Sequence, residues 1–168
     1  MKQPTSIINQ LRMYLKNPRT YLILAYITPI MIFLLMIWGN FASAIGAGLA
    51  CPDWPLCLGQ LIPFNPGSIS LELVFAEFLH RLLALGTAIV VLLLVISSYY
   101  HRNNSPRLFR LAILIVVFLM LQILLGALLI YTTLTNPLVS TTHLAFATTA
   151  FGLSIIQAIW IPIDLTIS

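Results

Sequence analysis

Four ionisable residues lie inside long apolar stretches of the sequence, where charged groups are costly and usually belong to a functional site. Two are histidines, His80 and His143, each about six or seven residues inside its stretch. Glu77 precedes His80 by three residues, and Arg81 follows it directly. Imidazole and carboxyl groups in such a setting can ligate a metal centre or transfer protons.

The two histidines are predicted to lie at the same depth in a membrane. At about 1.5 Å per helical residue, each lies roughly 10 Å from the same surface. Small residues on the same helix faces leave room for a flat ring: Ala84, Thr87 and Ala88 beside His80, and Ala147 and Ala150 beside His143. This pattern is typical of a planar metal macrocycle such as heme, held by two neutral imidazoles. The alternative is that each imidazole bonds to a hydroxyl group such as that of Thr141 or Thr142.

Glu77 is predicted to share a helix face with His80, one turn nearer the membrane surface. A carboxyl group there could exchange protons with a substrate held at His80. Alternatively, Glu77 pairs with Arg81 four residues later, and the pair only neutralises two charges in the membrane. The pattern leaves both interpretations open.

Cys51 and Cys57 lie in a Pro-containing segment between the first two apolar stretches, with five residues between them. Outside the cell they would meet an oxidising environment, and a disulfide between them is stereochemically possible. It would stabilise the loop by roughly 2 kcal/mol. A structural staple is the favoured interpretation, and a redox-active pair is the alternative.

The elements that must position these residues follow from composition. The chain is 60% hydrophobic and 7% charged, against roughly half and a quarter in soluble domains, which excludes a soluble globule. Four stretches reach the ~20 residues needed to cross a bilayer, and backbone groups in lipid must bond within their own helix. We therefore predict one all-α membrane domain over 1–168, a polytopic four-helix bundle with antiparallel neighbours. The spans are about 21–46, 74–100, 108–132 and 138–161, and an outer Cys-containing loop covers 47–73.

Basic residues predict the orientation of the bundle. Seven of the eight precede the first span or lie at the connection between the second and third: Lys2, Arg12, Lys16, Arg19, Arg102, Arg107 and Arg110. Because Lys and Arg accumulate in short cytoplasmic segments, we expect a multi-pass protein of the cell membrane with both termini cytoplasmic and the Cys loop outside. The basic residues form no aromatic-interleaved face, so nucleic acid is not an expected partner.

Together these segments resemble the heme A synthase family, membrane enzymes that convert heme O to heme A for cytochrome oxidase. The resemblance covers nearly the whole chain after about Gly39. Four motifs carry it: the segment 46–57 (GAGLACPDWPLC), Glu77-x-x-His80-Arg81, Gln122-x-x-x-Gly126 and Thr142-His143-Leu144.

The resemblance implies that His80 and His143 are axial heme ligands, that Glu77 takes part in catalysis, and that the Cys51 and Cys57 pair lies over the substrate site. Ser43 stands where family members often have a basic residue, which leaves Arg81 as the nearest candidate for the heme propionates. Heme O is the implied substrate, and heme b or heme A the other implied bound groups.

The family commonly has eight spans in two similar halves, whereas this chain supplies one half, which implies a homodimer. Heme O synthase and an electron donor are further implied partners. Two other classes stay open. A bis-His electron-transfer cytochrome or heme carrier would share the ligands, and a membrane thiol oxidoreductase would use the cysteines, although such enzymes usually present Cys-x-x-Cys.

Overall fold

The computed structural model describes residues 6–65, 67–132 and 136–167, with side chains as far as residue 162. Within these ranges the chain forms five α-helices and no strand: α1 Ile7–Lys16, α2 Pro18–Ala44, α3 Leu71–Tyr100, α4 Pro106–Tyr131 and α5 Pro137–Ile167. A short 3-10 helix, Ala47–Leu49, follows α2. Lys2 and residues 133–135 of the last connection lie outside the described residues.

Helices α2 to α5 are each long and apolar enough to cross a membrane. Neighbours in the chain pack against each other, and α2 also packs against α5, which closes the four helices into a ring. The contacts show the directions, since Trp38 near the end of α2 bonds to the start of α3. Tyr99 at the end of α3 meets Phe109 at the start of α4. The predicted polytopic, antiparallel helical fold is confirmed.

Three of the four spanning helices begin on a proline, at Pro18, Pro106 and Pro137. Proline suits the first helical position because its fixed φ is helical and its missing N–H has no partner there. Asn17 completes the start of α2, since its Oδ1 accepts a hydrogen bond of 2.9 Å from the N–H of Arg19. The spanning helices therefore begin one to three residues before the predicted spans, which followed hydropathy alone.

The tightly packed core occupies the half of the bundle nearest the basic connections. Its buried residues come from the end of α1 and from all four spanning helices: Leu15, Tyr21, Leu24, Ala25, Ile32, Val91, Leu94, Leu108, Ile115, Leu119, Ala150 and Ile161. The third histidine, His101, also lies at this end, with its ring stacked 5.0 Å from that of Tyr21. The ionisable residues of interest lie in the other half.

Replacing Leu94 with Ala tests this core. Leu94 is fully buried, so its truncation removes packing between helices and is expected to destabilise the bundle by about 2–5 kcal/mol. Leu92 on the same helix is 46% exposed and serves as the matched control, because lipid tails can refill the space left by Leu92→Ala. Thermal unfolding in mild detergent measures both. Equal losses in the two variants would contradict the assignment of the core.

Candidate functional site

His80 and His143 lie on α3 and α5, which stand across the diagonal of the ring because each packs against α2 and α4. At about 1.5 Å per residue, His80 is roughly 13 Å and His143 roughly 9 Å from the start of its helix. Both starts lie at the same end of the antiparallel bundle. The two histidines therefore lie in the same half of the bundle.

Each imidazole lies against a glycine of a neighbouring helix. A Cβ atom added at Gly39 of α2 would lie 2.5 Å from Cε1 of His80, closer than real contacts allow. At Gly126 of α4, an added Cβ would lie 3.5 Å from Cε1 of His143, an ordinary contact distance. The His80 ring therefore occupies the space that a side chain at position 39 would need.

Both imidazoles have a buried Nδ1 atom with no hydrogen-bond partner. The backbone carbonyl of Gln122 lies beside the His143 ring, and the side-chain Oε1 of Gln122 is also buried and unpartnered. Unpaired polar atoms in an apolar interior are unfavourable, and they are commonly satisfied by a bound group. Two neutral imidazoles with a free ring nitrogen are donors that suit heme iron.

The hydroxyl groups offered as alternative partners, those of Thr141 and Thr142, bond within their own helix. The hydroxyl of Thr141 donates to the carbonyl of Pro137, and that of Thr142 to Leu138, both at 2.7 Å and both within α5. Neither hydroxyl is bonded to His80 or His143. This part of the chain also holds no cluster of three or more His, Cys, Asp or Glu side chains arranged for a metal ion, so the histidines stand as a pair.

Glu77 and Arg81 form the ion pair that the sequence offered as an alternative. The Nε–H of Arg81 donates to Oε1 of Glu77 at 2.9 Å, and both side chains are largely buried. Trp38 supports the same turn of α3, because its Nε1–H donates to the carbonyl of Ala76 at 2.9 Å. Glu77, one turn before His80, is thus oriented by Arg81 of the same helix, and Trp38 of α2 bonds to the neighbouring backbone.

Arg81 also binds the outer loop through backbone carbonyls. Its Nη1 donates to the carbonyls of Asp53, at 2.6 Å, and Leu56, and its Nη2 donates to that of Cys51 at 2.6 Å. With the Glu77 bond, these contacts use four of the five N–H donors of the guanidinium. One Nη2–H has no acceptor among the described residues.

The carboxylate of Asp53 shapes the turn that follows it in the loop. Its two oxygens accept hydrogen bonds from the N–H groups of Leu58, at 2.7 Å, and Gly59, at 2.8 Å. Both residues have positive φ, 56° and 71°, which glycine adopts readily and leucine does not. Partial burial raises the pKa of Asp53, but the Gly59 and Leu58 hydrogen bonds and the Arg81 charge outweigh it, so the pKa lies below its ordinary value.

The disulfide between Cys51 and Cys57 is present. Both cysteines are buried, at 0% and 2% exposure, and they pack with Ala50 against Val74 at the start of α3. A thiol from outside cannot reach these sulfurs unless the loop opens. The burial of both cysteines favours a structural disulfide over a redox-active pair, and it argues against a thiol oxidoreductase.

Sequence reasoning overlooked three of these contributors. Gly39 shows only as a small residue in an apolar span, and nothing local indicates that a histidine lies against it. Asp53 left no local signal, because a common Asx turn bonds two residues on, whereas Asp53 accepts from N–H groups five and six residues later. Gln122 was noted in a motif, but its buried, unpartnered Oε1 depends on the packing of α4 against α5.

By fold, the chain is a polytopic membrane protein of the helical-bundle class, and Glu77, His80, Arg81 and His143 lie in the same half of the bundle. The model of the COX15-CtaA family, described as cytochrome oxidase assembly protein, matches residues 22–164. The chain belongs to that family.

Several relatives carry the name Heme A synthase. The protein of Bacillus pumilus (strain SAFR-032) is 32% identical over 138 residues, which cover 80% of this chain and 40% of the relative. That of Shouchella clausii (strain KSM-K16) is 42% identical over 62 residues, 36% of this chain and 19% of the relative. That of Bacillus cereus (strain AH187) is 32% identical over 105 residues, 62% and 32% of the two chains. The matches thus span less than half of each relative's length, and no solved structure matches the chain.

Substituting Lys for Arg81 tests the attachment of the loop to α3. A single ammonium cannot serve three carbonyls and a carboxylate as the planar guanidinium does. Each hydrogen bond to a charged group contributes about 1.5–3 kcal/mol, so amide hydrogen exchange of residues 51–60 should rise at least about ten-fold. Arg102→Lys is the control, because the Arg102 side chain contacts the ring and carbonyl of Tyr99 at the other end of the bundle. Unchanged exchange in Arg81→Lys would show that the loop is held by other contacts.

Proposed function

We propose that this protein oxidises a ring methyl group of heme O to the formyl group of heme A. The observation that carries the proposal is the pair of half-buried histidines on diagonally placed helices, each with a buried, unpartnered Nδ1, together with Glu77 one turn before His80. The name Heme A synthase, carried by relatives that are longer than this chain, supports it.

His80 and His143 are the residues that would hold heme iron, one from each side of the ring. Two protein ligands are enough because the porphyrin supplies the other four. Their positions on diagonal helices favour a flat group between them, since α3 and α5 are kept apart by α2 and α4. Arg81, with its remaining N–H, is the proposed contact for a propionate.

Glu77 is the proposed proton-transfer group. Written as two hydroxylations by dioxygen followed by loss of water, the methyl-to-formyl conversion consumes two O2, four electrons from the donor and four protons, and it releases three water molecules. It therefore requires a group that can transfer protons at the reacting edge. Arg81 holds one oxygen of the Glu77 carboxylate in place. Glu77 lies near the outer end of α3, so it is also close to the membrane surface, where water is available.

The orientation proposed for the bundle follows the positive-inside rule. The end that carries Arg12, Lys16, Arg102, Arg107 and Arg110 is cytoplasmic, and the stapled loop lies outside the cell membrane. The candidate heme site then lies in the outer half of the bilayer, beneath the loop.

A homodimer is the proposed working unit. The eight-span pattern expected for the heme A synthase family has two similar halves, whereas the described residues form four helices long enough to span a membrane, with one histidine pair in one half of the bundle. A symmetric dimer is the commonest assembly of identical chains and would provide a second pair. A heme O synthase that supplies the substrate and an electron donor are the further partners that this function requires.

An electron-transfer cytochrome or heme carrier is the second candidate. The Glu77–Arg81 ion pair is compatible with this second candidate, because a pair that only neutralises two charges in the membrane takes no part in catalysis. Such a protein would hold heme b through the same two histidines without changing it. The pigment bound after production with a heme O source separates the two candidates.

Replacing His80 or His143 with Ala tests heme ligation. We expect the purified protein with heme to give a six-coordinate, low-spin absorption spectrum, and either variant to give a five-coordinate spectrum or lose the heme. His101→Ala is the control, because His101 lies at the opposite end of the bundle, stacked on Tyr21. If both variants kept the wild-type spectrum, the ligand assignment would be wrong.

Glu77→Gln tests the catalytic role separately from binding. Gln keeps the size and an acceptor for Arg81 but cannot carry a transferable proton, so heme should stay bound while heme A formation falls at least ~100-fold. Extracted pigment is analysed after co-expression with a heme O source, and Glu72→Gln, an exposed acid in the first turn of α3, is the control. Full turnover in Glu77→Gln would leave the ion pair with a structural role. Heme b alone in the wild type would favour the cytochrome.

A further inference from the structure

Helix α1 carries an apolar face that the bundle leaves largely uncovered. Its apolar residues follow the i, i+1, i+4, i+7, i+8 spacing of one helix face: Ile7, Ile8, Leu11, Tyr14 and Leu15. Ile7 is 83% exposed, Ile8 78% and Leu11 52%. Arg12 and Lys16 lie beside this face, toward the polar side of the helix. The pattern is that of a helix lying at a membrane surface rather than one crossing the membrane.

The contacts of Leu15 show where α1 lies along the length of the spanning helices. Leu15, the last residue of the apolar face, is buried in the core. Its carbonyl accepts a hydrogen bond of 2.7 Å from the hydroxyl of Ser97, about one turn before the end of α3 at Tyr100. The C-terminal end of α1 therefore lies level with the last turn of a spanning helix. Because Leu15 points into the bundle, the uncovered residues of the same face also point toward the membrane interior.

The junction with α2 prevents α1 from extending a spanning helix. Asn17 alone separates the two helices, and its φ of −74° and ψ of 125° are extended rather than helical. With ten residues, α1 is also too short to cross a bilayer. Since it contacts both α2 and α3, it lies across their ends.

Basic residues predominate at the end of the bundle where α1 lies, which also carries Asp164 near the end of α5. The cations are Arg12, Lys16, Arg19, Arg102, Arg107 and Arg110, and the segments 6–19 and 101–110 contain no acidic residue. Lys16 lies 5.4 Å from the ring centroid of Tyr100, which places its charge at the rim of the bundle. Such a rim attracts anionic lipid headgroups.

We propose that α1 is a membrane-surface helix that binds anionic lipid headgroups. Its apolar face enters the acyl-chain boundary of the bilayer, and the cations around it contact the headgroups. The proposal does not depend on heme chemistry or on the histidine pair.

An environment-sensitive fluorophore on a single introduced cysteine tests the insertion. The described chain has no free cysteine, so Ile8→Cys places the label on the apolar face of α1 and Asn9→Cys places it on the polar side, about 100° further round the helix. The full chain is reconstituted in nanodiscs whose lipids carry bromine on their acyl chains. We expect bromine to quench the label at position 8 at least about two-fold more than the label at position 9, since only the former enters the acyl region. Equal quenching would overturn the proposal. Protection of position 8 without quenching, together with cross-links between copies, would assign the face to a second chain and also overturn it.

Amide hydrogen exchange of residues 7–16 tests the choice of lipid on the unlabelled protein. Exchange should be slower in nanodiscs that contain phosphatidylglycerol than in phosphatidylcholine alone, and Arg12→Gln with Lys16→Gln should remove the difference. Leu11→Gln should speed exchange in both lipids, whereas Met13→Gln, a change of equal helix propensity on the polar side, should not. Exchange that is independent of both lipid charge and Leu11 would contradict the proposal.

Discussion

A charged side chain within a membrane helix has to find its counter-charge and its hydrogen-bond partners inside the protein. Arg81 finds them in Glu77 of its own helix and in three carbonyl groups of the outer loop. One guanidinium therefore determines where the loop sits and how the acid is oriented, directly beside His80. The disulfide and the Asp53 turn give the loop a defined shape, so that its carbonyls converge on Arg81.

The two halves of the bundle have different tasks. The half near the basic connections is closely packed by large apolar side chains. In the other half, glycines at positions 39 and 126 border the imidazoles, and unpartnered nitrogen and oxygen atoms face inward. Packing in the first half can hold the helices in register while the second half keeps polar groups that contribute little to stability. This separation suits a site that must accept a large ligand.

Much of the fold could be predicted because it depends on length and hydropathy. Four apolar stretches and short connections are enough to specify spanning helices and antiparallel neighbours, and ionisable residues inside them identified His80, Glu77 and His143 as candidates. The contacts of Arg81 could not be predicted, because backbone carbonyls 25 to 30 residues away leave no pattern in side-chain types. The same holds for the His80 ring against Gly39. Helix α1 could have been predicted from its regular apolar spacing. It was not, because a search for membrane spans passes over a helix of ten residues.

The closed ring of four helices brings the start of α2 and the far part of α5 together, as the contact between Tyr21 and Gln157 shows. An even number of crossings returns the chain to the side where α2 began. A second copy joined after α5 would therefore enter the membrane in the same direction as the first. Gene duplication of such a unit yields two parallel halves related by an axis along the membrane normal, rather than the inverted repeats seen in many transporters.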